Sequence, residues 1–321
     1  MDSDLPPFKE RFPWCGGDLQ TLATALLPHQ IPACSEQREF PVDGDNTLVA
    51  ALDSPVMASQ VDKPLALLIH GVPGSQESPY LHRMSEYLLG LGHKVLRLNL
   101  RGAGPSRSKC AGQYYAGSSE DIRQLLAQLP TDLTHNGIVA VGYSIGGAVL
   151  LKYLGEEGTR APIMAAASVS APIELLDTCL ALMRPRNMPY HSYVLTRTKR
   201  NALGGTLTRE EKIRIKSAVT LLEFDDLFTA PRNGFSGADE YYAKCSALNF
   251  LPGIRVPTLV LTSLDDPWVP GSAYSGYYWR SNEYLMPLLL ACGGHVGFHE
   301  SASNQPWSDQ AIAAFFERQT T

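Results

Sequence analysis

The segment Ile138 to Leu154, IVAVGYSIGGAVLLKYL, restricts the possible folds more than any other part of the chain. Ile138 to Val141 is a short β-branched run of the kind that forms a buried strand, and Ala148 to Leu154 carries Val149, Leu150, Tyr153 and Leu154 at helical spacing. Between them lies Gly142-Tyr143-Ser144-Ile145-Gly146, followed by Gly147. A strand that turns into a helix through one serine forces that serine into a strained, exposed conformation, and the flanking glycines remove side chains that would collide there. Ser144 then stands at a helix N-terminus, where free N–H groups and the helix dipole favour developing negative charge, with the Ile145 N–H as first donor. The five-residue pattern alone arises by chance in roughly one chain in ten of this length, so the strand before it and the helix after it carry the reading.

Composition sets the outer bounds. A chain of 321 residues is long for one core but fits an α/β domain with an insertion. With 44% hydrophobic and 18% charged residues it reads as a soluble globular protein. The net charge of −5 gives no attraction to nucleic acid and repels anionic membranes on average, which leaves at most peripheral membrane contact. The start, MDSDLPPFKE, lacks the basic and apolar regions of a secretory signal, and no stretch approaches the ~18 apolar residues of a spanning helix, so the expectation is a cytoplasmic protein. Cysteines 15, 34, 110, 179, 245 and 292 are scattered without a C-x-x-C pair, as suits idle thiols in a reducing compartment.

Along the chain, residues 1 to about 35 form an arm rich in proline and aromatics that packs over the body of the domain. Arg38 to Val42 and Thr47 to Leu52 are expected as a hairpin about Asp43-Gly44-Asp45-Asn46. The run Pro64 to His70 is a buried strand that breaks at Gly71-Val72-Pro73-Gly74, a loop whose Val72 N–H is the candidate second oxyanion donor. His70 closes a strand ahead of the serine, and its expected role is structural. Ser78-Pro79 opens a helix to Leu91 with the serine as cap, Lys94 to Leu100 is a strand, and Gly117 to Glu120 caps a helix to about Leu129. The G-x-G at 102 to 104 lacks the third glycine of a dinucleotide site, and no phosphate-binding G-x-x-x-x-G-K occurs.

Strands alternating with helices imply a mostly parallel sheet with right-handed crossovers and flanking helices. Ile163 to Val169 supplies the next strand, after which the alternation stops. Residues 172–252 are helical and loop-rich, with Arg209 to Leu222 the clearest helix, and read as an inserted cap that folds over the Ser144 end of the sheet. On this division, 1–171 hold the arm and the first part of the core, and 253–321 its C-terminal part. The latter has strands at Val256 to Thr262 and Glu283 to Ala291 and a closing helix at Pro306 to Arg318.

A serine hydroxyl becomes a nucleophile at neutral pH when a histidine takes its proton and a carboxylate orients that histidine. The chain order Ser, Asp, His is met by Ser144, an aspartate at 265 or 266, and His295, with Asp266 122 positions after Ser144 and His295 29 positions after Asp266. His295 and His299 are the histidines that follow the acid, and the glycines around His295 let its loop reach Ser144. Either aspartate is able to point inward, depending on where the strand ends. The D-P-x-V-P pattern, which acid loops of such enzymes resemble, selects Asp266. His295 and His299 do not form H-E-x-x-H, and neither a metal nor a cofactor is expected.

The chain resembles the YheT-like branch of the α/β-hydrolase superfamily. The resemblance rests on LQT at 19 to 21, HGVPGSQESPY at 70 to 80, NLRGAG at 99 to 104, GYSIGG at 142 to 147, EFDDLFTAPRNGF at 223 to 235, DDPWVP at 265 to 270 and GGHVGF at 293 to 298. It implies the α/β-hydrolase fold with a helical cap, Ser144, Asp266 and His295 as catalytic triad, and Val72 and Ile145 as oxyanion donors. The activity it implies is hydrolysis of small acyl esters, with acylglycerols and phospholipids in the family's range, while the modest cap and the expected lack of a membrane anchor favour short to medium acyl chains. Acyl transfer or thioester hydrolysis would use the same acyl-serine. The complete set of groups argues against a non-catalytic ligand sensor. Two positions depart from the branch: Asp18 and Cys292 stand where it commonly has histidine.

Overall fold

A computed structural model describes residues 7–31, 35–55 and 63–320; Cys34 and the first six residues of the arm lie outside the described residues. Eight strands form one sheet: β1 (Ser35–Asp43), β2 (Asn46–Asp53), β3 (Leu65–Ile69), β4 (Val95–Asn99), β5 (Ile138–Tyr143), β6 (Ala165–Val169), β7 (Thr258–Ser263) and β8 (Leu285–Leu290). Their order is β1-β2-β4-β3-β5-β6-β7-β8. β1 and β2 pair as an antiparallel hairpin and β2 runs antiparallel to β4, while every pairing from β4 to β8 is parallel.

The parallel strands are apolar on both faces because helices cover both faces. In β5, Ile138 and Ala140 point into one core with Leu125, Val149 and Tyr153, from helices Ser119–Ala127 and Ile145–Glu157. Val139 and Val141 point into the other, with Leu81, Met84, Ile312 and Phe315 from helices Pro79–Gly90 and Trp307–Thr320. The period-2 alternation of a strand thus splits one run of residues between two cores. Each fully buried aliphatic side chain contributes about 1.5–3 kcal/mol.

At the antiparallel end, Arg97 of β4 and Asp53 of β2 form a fully buried ion pair, Nε to Oδ2 2.7 Å. The Ser35 and Ser85 hydroxyls donate to the two Asp53 oxygens, which completes its hydrogen bonding.

Between β6 and β7 the chain is helical: Leu175–Leu182, Met188–Leu203, Arg209–Ser217 and Ala238–Cys245, with a π-helical turn at Asp225–Thr229. The helix expected over 209 to 222 stops at Ser217. Thr220 starts a new turn by accepting from the Glu223 N–H, and a threonine that caps in this way cannot also continue the helix before it. Two further caps differ from expectation. The Ser78 and Ser118 hydroxyls accept from the upstream N–H groups of Ser75 and Tyr115 and leave their helix starts uncapped by side chains, because each loop N–H also needs a partner. The arm contains a helix, Gly17–Leu26, that its proline and aromatic content did not foretell. No helix among the described residues is long and apolar enough to cross a membrane.

Candidate active site

Ser144 joins β5 to the helix Ile145–Glu157 with φ 52° and ψ −125°, a conformation disfavoured for a residue bearing a Cβ. Its N–H donates to Val169 O at 2.8 Å, and its carbonyl accepts from the Gly147 and Ala148 N–H groups, so the turn is held from both sides. Gly146 lies so close to β3 that a Cβ there would sit 2.4 Å from His70 O. A Cβ on Gly71 would sit 2.8 Å from Ser144 Cβ, which shows how closely the loop after β3 approaches the serine. The Ile145 N–H is at the first helical position, where no intrahelical acceptor exists, and Val72 lines the same cavity as Ser144 and Ile145.

The structure brings three of the sequence-predicted side chains together. His295 Nε2 is 2.9 Å from Ser144 Oγ, and His295 Nδ1 is 3.0 Å from Asp266 Oδ2. Asp266 follows β7, and its other oxygen accepts from the N–H groups of Trp268 (2.7 Å) and Val269 (3.0 Å). All four lone-pair directions of the carboxylate are not needed: one oxygen is fixed by backbone, and the other is left for the imidazole. Asp265 faces away toward the arm, where its carbonyl would meet a Cβ on Gly17, and burial raises its carboxyl pKa.

Several supporting contacts join residues remote in sequence. The Trp268 indole stacks on the His295 ring with centroids 4.4 Å apart and planes 15° apart. The helix Gly17–Leu26 seats the histidine loop: Thr21 Oγ1 accepts from the His295 N–H at 2.8 Å, and Gln20 Oε1 accepts from the His299 N–H at 2.7 Å. Gly294 and Gly297 are required here, because a Cβ on either would lie within 2.4 Å of the helix backbone at Thr21 N or Gln20 O. The LQT match marked this stretch, but nothing in the residue pattern said which loop it would meet.

The remaining histidine candidates lie outside this constellation. His70 is buried with Nδ1 against Gly71 O and Nε2 accepting from the Leu100 N–H, which ties β3 to β4, and burial pulls its pKa down to about 4. His299 packs against Thr24 Oγ1, and burial, reinforced by Arg83, likewise lowers it to about 4. At the first departure from the branch pattern, Asp18 accepts from Arg186 (2.8 Å) and the Tyr190 hydroxyl (2.9 Å), binding the arm helix to the helical insertion. Tyr190 in turn packs on Trp268.

Ser144 opens into an apolar cavity of about 160 Å³ that runs under the insertion between Leu182, Val194, Phe224, Phe228 and Tyr241. One acid faces it. Asp225, on the π-helical turn, accepts from the Tyr242 hydroxyl at 2.7 Å, and burial raises its pKa to about 6. Among the described residues no group of three or more His, Cys, Asp and Glu side chains is arranged to hold a metal ion.

Comparison with known proteins agrees with this architecture. Residues 66–306 match the model of the alpha/beta hydrolase family. The chain is 33% identical to the Escherichia coli protein named "Putative esterase YheT" over 292 residues, covering 87% of this chain and 83% of that protein. It is 32% identical over 290 residues to the Saccharomyces cerevisiae medium-chain fatty acid ethyl ester synthase/esterase 2, covering 81% of this chain. The chain spans only 63% of the length of that yeast relative. Among solved structures, the Pyrococcus furiosus esterase Pf2001 superposes with a TM-score of 0.60 at 16% identity, over 92% of this chain and 99% of that one, a likeness of fold. A family match over well more than half of the chain, joined to a relative at this level of identity, makes the protein a member of the alpha/beta hydrolase family, in its YheT-like branch.

Proposed function

We propose that the protein is a serine carboxylic ester hydrolase acting on short- to medium-chain acyl esters through an acyl-Ser144 intermediate. The observation that carries this reading is the unbroken hydrogen-bonded line Ser144 Oγ, His295, Asp266 at the mouth of an apolar cavity. In the proposed reaction His295 Nε2 takes the Ser144 proton as Oγ attacks the ester carbonyl, and Asp266 stabilises the imidazolium. The N–H groups of Ile145 and Val72 hold the oxyanion of the tetrahedral intermediate, at about 2.7–4 kcal/mol for each donor by analogy with such sites. Collapse breaks the bond to the alcohol oxygen, which takes the proton from His295. Water, deprotonated by the same nitrogen, then releases the acid.

The cavity supports the chain-length part of this reading. Apolar space of about 150 Å³ suffices to hold benzene, so the comparable cavity here favours short and medium chains over long ones. Turnover of p-nitrophenyl esters from acetate to octanoate, with fluorophosphonate labelling of wild type and Ser144→Ala, tests the reading. Well-folded wild-type protein that neither turns over nor labels at Ser144 would overturn it. Acyl transfer to an alcohol is the second reading, favoured by the yeast relative's name as both synthase and esterase. It predicts that added ethanol diverts product to ethyl ester in competition with water.

A further inference from the structure

Tyr114 lines two cavities, the apolar one at Ser144 and a polar cleft of about 430 Å³. The cleft is bounded by Pro73 to Ser75, which continue the loop from Val72, and by Arg107, Arg197 and Arg200. Arg197 and Arg200 are three apart on the helix Met188–Leu203 and so share one face. Arg107 comes from the segment Gly104–Lys109 after β4 and reaches across to the Asn201 amide oxygen, joining core to insertion.

None of these three guanidinium groups is paired with a carboxylate among the described residues. Arg197 lies over the Tyr193 ring at 5.4 Å, and Arg107 Nε is 3.4 Å from Gly102 O. Glu77 also lines the cleft, and its Oε1 accepts from the Gln76 amide at 2.9 Å. Three cations against one acid leave this a positive site on a chain whose net charge is −5. It lies beyond the carboxyl ends of β3 and β4, where α/β sheets bind ligands.

An ester placed on Ser144 with its acyl chain in the apolar cavity must direct its alcohol portion elsewhere. The cleft beside the Val72 loop provides polar, cationic space for it. We propose that this cleft binds a phosphate carried on the alcohol portion of the substrate, with the guanidinium forks as recognition groups. The proposal rests on the hydrolase reading above.

The test compares 1-octanoylglycerol with 1-octanoylglycerol 3-phosphate, which share acyl chain and scissile bond. The expected result is a preference in kcat/KM for the phosphate ester of about tenfold or more, the scale of one charge-assisted hydrogen bond. In the double variant Arg197→Gln/Arg200→Gln that ratio falls toward one, chiefly through KM, and Arg107→Gln lowers it separately. Calorimetric titration of Ser144→Ala protein reads the same difference as binding without turnover. Inorganic phosphate is the second probe: competition against the phosphate ester supports the site, whereas binding of free phosphate with no advantage for the ester overturns it. An unchanged ratio in the arginine variants, with the neutral ester still hydrolysed, sinks the cleft alone. No hydrolysis of either ester, with equal binding of both to Ser144→Ala, sinks the cleft and the hydrolase reading together.

Discussion

The Trp268 indole covers one face of the His295 imidazole, 4.4 Å away and nearly parallel. The same residue's backbone N–H donates to Asp266 Oδ1, so one position fixes the carboxylate through its main chain and the ring through its side chain. Because the two roles use different atoms, a substitution separates them. Trp268→Ala keeps the backbone donor and frees the imidazole to tilt. The expected loss is about 10- to 100-fold in kcat/KM, mostly in kcat, with partial recovery in Trp268→Phe. Steady-state kinetics on one p-nitrophenyl ester decides it, and full activity in the alanine variant would remove the positioning role.

The two adjacent aspartates make a sharper comparison. Asp266→Asn removes the acceptor that selects the His295 tautomer, with an expected drop of about 10³- to 10⁴-fold in kcat. Asp265→Asn leaves that hydrogen bond in place and is expected to stay within a few-fold of wild type. Equal losses at both positions would show that the acid has been misassigned.

For stability, the buried pair of Arg97 and Asp53 is the most exposed to single substitutions. Arg97→Met strands the Asp53 carboxylate without its counter-charge and is expected to cost about 3–5 kcal/mol. Urea unfolding midpoints of the two proteins measure this, and a shift of under a third of that amount would argue that the serines alone support the carboxylate.

Asp309 supplies a pH signature. It lies buried in the closing helix, and desolvation raises its pKa from an ordinary 3.8 to about 7. The native state therefore keeps a proton between these values that the unfolded chain has released, and stability from this group is complete below pH 4 and is lost as pH rises through 7. Asp309→Asn lacks this dependence. Relative to the variant, wild type is expected to lose ground steadily from pH 4 to 7 and to run parallel to it above. Paired urea titrations at pH 5 and 8 check the sign, and a constant difference would mean that Asp309 titrates normally.

Local signals were enough for much of the architecture. The β5 turn at Ser144, the hairpin at Gly44 and the alternation of strands and helices depend on steric fit and periodicity over a few residues, and these are written into neighbouring positions. Helix ends were less legible. The Ser78 and Ser118 hydroxyls serve loop N–H groups upstream of the helices they precede, and Thr220 caps a separate turn, choices set by the surrounding loops.

The amino-acid sequence by itself determined that a strand would present Ser144 at a helix start, that an acid and a histidine would follow in order, and that helices would interrupt the sheet before β7. The acid-loop pattern had already favoured Asp266 over Asp265, whereas tertiary structure alone decided that Trp268 lies over the His295 ring. It also decided that Thr21, 274 positions away, holds its backbone and that three arginines from two segments line one cleft. The physical reason is the range of the interactions involved. Backbone sterics and hydrophobic periodicity act between near neighbours, whereas stacking, hydrogen bonding and charge clustering join groups whose separation along the chain carries no repeating pattern.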